Sequence, residues 1–134
     1  MARPRFRQIA HTADVRLAAW GRDEEELLRN AVLGTLACAL GRPPRGEPAH
    51  WHAVTSWPED LRGRLVCAAN DALFRLYVRG EVAVDVRLGV DRGYLGVAPL
   101  PGGWPLAVEV KAATFHDLAI RRGDRLRAVI TLDL

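Results

Sequence analysis

The last third of the chain leaves the fewest structural options. Val82, Val84, Val86, Leu88 and Val90 alternate with Ala83, Asp85, Arg87 and Gly89. That period of two suits a β-strand with one buried face, not a helix. Asp91-Arg92-Gly93 makes a tight turn into a second strand, Tyr94–Ala98, and Pro99–Pro105 is a loop of proline and glycine. Strands are expected at 106–115 and 117–121, then an Arg122-Gly123-Asp124 turn. In the closing strand, Arg125–Asp133, residues Leu126, Ala128, Ile130 and Leu132 share one face. A run of hairpins must bury its apolar side against something, and the first half of the chain supplies it.

Residues 6–20 read as extended in two pieces, and Gly21 breaks them. Asp23-Glu24-Glu25-Glu26 then opens a helix: Asp23 caps free backbone N–H groups, Glu26 reaches back, and the acidic turn suits the helix dipole. Leu27, Leu28, Ala31, Val32, Leu36 and Ala39 keep a 3.6 period until Gly41 and Pro43 stop it. The stretch 41–48, with three prolines, is a connection within a domain. After a short strand at 50–55, Ser56-Trp57-Pro58-Glu59 repeats the capping pattern before a second helix, whose buried stripe runs from Leu61 to Leu76 and ends at Gly80. Gly63 reads as an exposed weak point there, costing about 1 kcal/mol relative to alanine. The fold class is α+β: two helices packed on an antiparallel or mixed sheet, one domain over residues 1–134.

Composition narrows the function classes. The chain has 134 residues, a net charge of +3, and an ordinary balance of apolar and charged residues, which excludes a disordered or low-complexity chain. Cys38 and Cys67 lie in apolar runs and suit a reducing compartment. No signal peptide or membrane-length apolar run is present, so the expectation is a cytosolic protein without a membrane anchor. Phosphate-loop, dinucleotide and nucleophile-elbow signatures are absent. Eighteen arginines accompany one lysine, Lys111.

Three polar clusters interrupt strands that should be apolar. They are His11-Thr12-Ala13-Asp14, Glu109-Val110-Lys111-Ala112-Ala113-Thr114-Phe115-His116-Asp117, and Asp133-Leu134. A lone aspartate in a strand is more often solvent-facing than a ligand, and single histidines are more often structural. No histidine pair has the spacing of a helical zinc site, so carboxylates and carbonyls would suit a hard cation instead. The arginines at 3, 5 and 7 and at 121, 122, 125 and 127 could meet nucleic acid, but charged sheet edges and hairpin tips account for them as well.

Together these clusters resemble the archease family. Phe6–Trp20 with its His-Thr-Ala-Asp, followed by Gly21 and an acidic helix start, is similar to the family's opening. Glu109–His116 is similar to its second motif, and Val129–Leu134 to its terminal strand. Ala113 and Phe115 depart from the usual valine and tyrosine. The resemblance implies a small accessory protein of an RtcB-type RNA ligase, which joins RNA ends with a 3′-phosphate or 2′,3′-cyclic phosphate to a 5′-hydroxyl in tRNA splicing and RNA repair. It implies promotion of ligase guanylylation and multiple turnover, with tRNA met only through the ligase. It places a divalent metal, Ca²⁺ first and Mg²⁺ or Mn²⁺ as alternatives, on Asp14, Asp133 and a backbone oxygen of Leu134. It places His11, Lys111 and His116 at the partner interface. A metal-dependent enzyme acting on a phosphorylated substrate, and a direct RNA-binding chaperone, are the competing readings.

Overall fold

Helix α1 (Glu24–Leu40) begins and ends as its sequence dictates. The Asp23 carboxylate accepts the Glu26 N–H at 2.9 Å, and Gly41 closes the helix in the left-handed region (φ 80°) with its N–H on Ala37 O. The computed structural model describes residues 5–10 and 14–134. His11, the first residue of the opening cluster, lies outside them.

Strands β1 (Phe6–Ala10), β2 (Asp14–Gly21), β6 (Ala112–Arg122) and β7 (Leu126–Asp133) form a four-stranded antiparallel sheet in the order β1-β2-β7-β6. Strands β3 (His50–Ala53), β4 (Glu81–Leu88) and β5 (Gly93–Pro99) form a second antiparallel sheet in the order β3-β5-β4. The single sheet expected from the sequence is therefore two. Helix α1 lies between them, packed on β2 and on β4, with α2 (Leu61–Phe74) beside it and against β6. This explains why α1 buries residues around much of its circumference, including Gly34 and Thr35, where a one-sided amphipathic helix would bury a stripe. One hydrophobic core runs through both sheets. Among the described residues no helix is long and apolar enough to cross a membrane.

Other departures have local causes. α2 starts at Leu61 with Asp60 as its N-cap residue, not after Ser56. Trp57 instead lies over Gly93, and Arg64 Nε donates to Pro58 O at 2.7 Å, so 56–60 packs as a loop. Gly63 is buried, and a Cβ there would sit 2.7 Å from Pro58 Cβ; it is a close approach, not an exposed weak point. The helix that reads as continuous to Gly80 finishes as a π-helical turn, Arg75–Arg79. In β4 the alternation slips at Val84, which bulges, while Ala83 is fully buried and Asp85 turns to Arg29 of α1. Residues 105–111 are irregular, and β6 begins only at Ala112. Cys38 and Cys67 are free and half-buried, and burial raises the Cys38 thiol above its ordinary value, as suits a small apolar side chain.

Glu26 joins β1 to the start of α1. It accepts the Arg22 N–H at 3.0 Å, the Arg22 guanidinium at 3.1 and 3.2 Å, and the Arg5 guanidinium. The Arg22 amide leads in holding the Glu26 carboxyl below its ordinary range, with burial opposing and the guanidinium groups assisting. A lowered folded-state value stabilises the fold above the unfolded carboxylate range, and that stability is lost as pH falls through the folded value. Glu26→Gln is expected to cost about 1–2 kcal/mol at neutral pH. Urea titrations should show the gap to wild type closing as pH is lowered through and below the ordinary carboxylate range.

Candidate functional site

The start of β2 and the end of β7 meet at one end of the four-stranded sheet. Asp14 stands directly across from Asp133 in the antiparallel register, and Ala112 of β6 faces Asp133 from the other side. Alternation therefore puts Asp14, Asp133 and Thr131 on one face, away from the buried Val15, Leu132 and Ile130. Asp14 is half-buried; Asp133 and Leu134 are exposed. Directly opposed carboxylates have Cβ atoms about 5 Å apart, where like charges destabilise the pair. Arg16, two residues along the same face and across from Thr131, is one nearby source of positive charge.

Lys111 borders this pair. Its N–H donates to Asp133 O at 2.8 Å, and the residue is exposed. Its neighbour Val110 is fully buried and donates its N–H to the Tyr77 hydroxyl at 2.8 Å. Burial, with the Glu109 charge adding to it and the Val110 hydrogen bond opposing, raises the Tyr77 phenol and keeps it protonated.

His116 reaches the same face by a different device. Thr114 pairs with Thr131 and Ala119 with Val129, so Phe115, His116, Asp117 and Leu118 form a bulge with no register partners on β7. Thr131 Oγ1 donates to His116 O at 2.8 Å and pins the bulge over that face. Asp117 takes a left-handed backbone (φ 52°), and its carboxylate lies 3.2 Å from His116 Nε2. Phe115 is half-exposed. Asp14, Asp133, and the backbones of Lys111 and His116 thus share one end of one sheet.

Asn70 of α2 is a residue that pattern reading missed. Its amide Nδ2 donates to Ala113 O at 3.0 Å, and its Oδ1 accepts the Ala113 N–H at 2.7 Å. Since β6 is an edge strand, Asn70 acts as its missing neighbour and fixes the motif segment from behind. The one local signal is that Asn70 is the single amide side chain in a largely apolar helix.

The arginine hairpin tip sits at the opposite end of the sheet. Arg121 faces Arg127 across the ladder, and Arg125 lies over the Trp20 ring at 5.1 Å. Seven strand steps separate Leu126 from Asp133, about 24 Å. The sheet is therefore polarised, basic at one end and acidic at the other.

The whole described chain from β1 onward, residues 6–134, matches the family model described as the Archease protein family (MTH1598/TM1083). The chain belongs to the archease family. A "Probable protein archease" of Mycobacterium tuberculosis is 30% identical over 139 residues, covering 96% of this chain and 74% of that protein. A "Protein archease" of Pyrobaculum neutrophilum is 32% identical over 142 residues, covering 96% of this chain and 95% of its own. The fold is shared with the crystal structure of an archease, described as a possible chaperone, from Thermotoga maritima. That likeness has a TM-score of 0.64 at 22% identity and covers 100% of this chain and 98% of the other. The acidic end of this archease is thus made by described residues of the three polar clusters in its sequence: Asp14, the Lys111–His116 segment and Asp133.

Proposed function

We propose that this archease activates an RtcB-type RNA ligase by protein contact, promoting guanylylation of the ligase and its repeated turnover, and has no active site of its own. The observation that carries the reading is the convergence of the three motifs on one sheet end. Asp14 opposes Asp133 there, with the Lys111 amide bound to the Asp133 carbonyl. tRNA enters only through the ligase.

Asp14, Asp133 and a backbone oxygen of Leu134 are hard oxygen donors that suit Ca²⁺, with Mg²⁺ or Mn²⁺ as alternatives. What supports a divalent ion there is the register itself, which sets two hard carboxylate donors directly opposite each other. Among the described residues no cluster of three or more His, Cys, Asp or Glu side chains forms a full cage. The chemistry such an ion supplies is charge neutralisation at a surface, with further ligands drawn from water or from the partner. Lys111 and His116, beside that surface, supply contacts to the ligase. A lysine ammonium is compact and strongly hydrated, so an arginine fork is no equivalent there.

The expected result is faster transfer of labelled guanylate from GTP to the cognate ligase in the presence of this protein. Lys111→Arg should weaken the effect, and calorimetric Ca²⁺ binding should be lost in Asp133→Asn. An unchanged rate of guanylylation on adding the wild-type protein would refute the reading.

A further inference from the structure

Two proline-rich loops take no part in the acidic sheet end. One follows α1 (Gly41-Arg42-Pro43-Pro44-Arg45) and the other follows β5 (Pro99-Leu100-Pro101 through Trp104). The fold brings them face to face across a cleft of about 460 Å³, on the three-stranded sheet. That volume is within the range of small-ligand sites, roughly 300–1,000 Å³.

The cleft has two chemistries. Leu40, Val82, Val84 and Leu100 give it an apolar floor, with Leu40 and Val82 buried in the core. Arg42, Arg45 and Trp104 occupy its rim, and the Arg42 guanidinium stacks 4.0 Å from the Trp104 ring centroid. Among the described residues lining it there is no Asp or Glu, and neither arginine has an ion-pair partner. Two guanidinium groups without counter-charge, beside an indole and an apolar floor, complement a negative group joined to a flat apolar body. Prolines on both walls fix φ and hold the loops in place before any ligand arrives.

We propose that this cleft binds a small organic anion with a planar apolar body. The acid group lies on Arg45 and Arg42, and the ring lies against Trp104 and the floor. Aromatic carboxylates and nucleoside monophosphates share this chemistry, and the two are separable by experiment.

The test is calorimetric titration of the full chain with indole-3-acetate and with AMP, each beside its neutral counterpart, indole-3-acetamide or adenosine. Saturable one-to-one binding of at least one acid is expected, and the acid that binds identifies the class. The neutral counterpart should bind about tenfold more weakly, the loss of one charge-assisted contact. Arg45→Glu should weaken the acid by at least as much while leaving the melting temperature unchanged, because Arg45 is exposed. Trp104→Ala should weaken it too. Failure of both acids to saturate at millimolar concentration would overturn the proposal, as would equal binding of the neutral compounds or full affinity in Arg45→Glu.

Discussion

Gly21→Ala is expected to destabilise the protein by about 3 kcal/mol, the upper part of the range for forced overpacking. Gly21 is buried where β2 hands over to α1, and a Cβ there would stand 2.5 Å from the Leu27 backbone nitrogen and 2.8 Å from the Glu26 carbonyl carbon. Those atoms belong to the first turn of α1, where Leu27 N–H bonds Asp23 O at 3.0 Å, so no flexible side chain can move aside. Either the helix retreats from β2 or the Asp23 cap breaks. Thermal melting should fall by about 10 °C for a domain of this size. Gly102→Ala is the control: nothing lies within 4 Å of its added Cβ, and the change should stay within about 0.5 kcal/mol.

Asn70→Ala is the second large effect, expected at about 2–3 kcal/mol, because it leaves both the N–H and C=O of the buried Ala113 without their partner. Asn70→Asp should do little better, since a carboxylate still accepts the N–H but faces the Ala113 carbonyl with no donor. Hydrogen exchange gives the sharper readout. Protection of the 112–114 amides should drop well before that of β2, and the Lys111–His116 segment should loosen as one piece. The cost therefore falls on the Lys111–His116 motif as well as on stability.

Much of this architecture is local, and local features are what a sequence displays. Asp23, Glu26 and Gly41 mark α1 by capping chemistry that acts within a few residues, and β7 alternates because one of its faces is buried throughout. The division into two sheets is not local: it follows from α1 being apolar enough to pack on both β2 and β4. Likewise Ser56 looks like a cap until Trp57 is claimed by Gly93, and Val84 looks inward until Asp85 finds Arg29.

The candidate site was legible to the same degree. Its residues stood out as polar breaks in apolar strands, but their convergence depends on register. Only the pairing of β2 with β7 sets Asp14 opposite Asp133, and only the bulge pinned by Thr131 brings His116 to that face. Asn70 escaped because its role is defined entirely by a strand 43 positions away.

The central claim, that the acidic sheet end activates a partner ligase, is tested most directly by sealing of RNA ends held in excess over the cognate ligase. Wild-type protein should raise the number of sealing events per ligase. Asp14→Ala and Asp133→Ala should lose that gain while still melting as folded proteins, and Arg45→Glu, in the other sheet's cleft, should keep it. No gain in turnover with the wild type, or full activation by Asp14→Ala, would contradict the account.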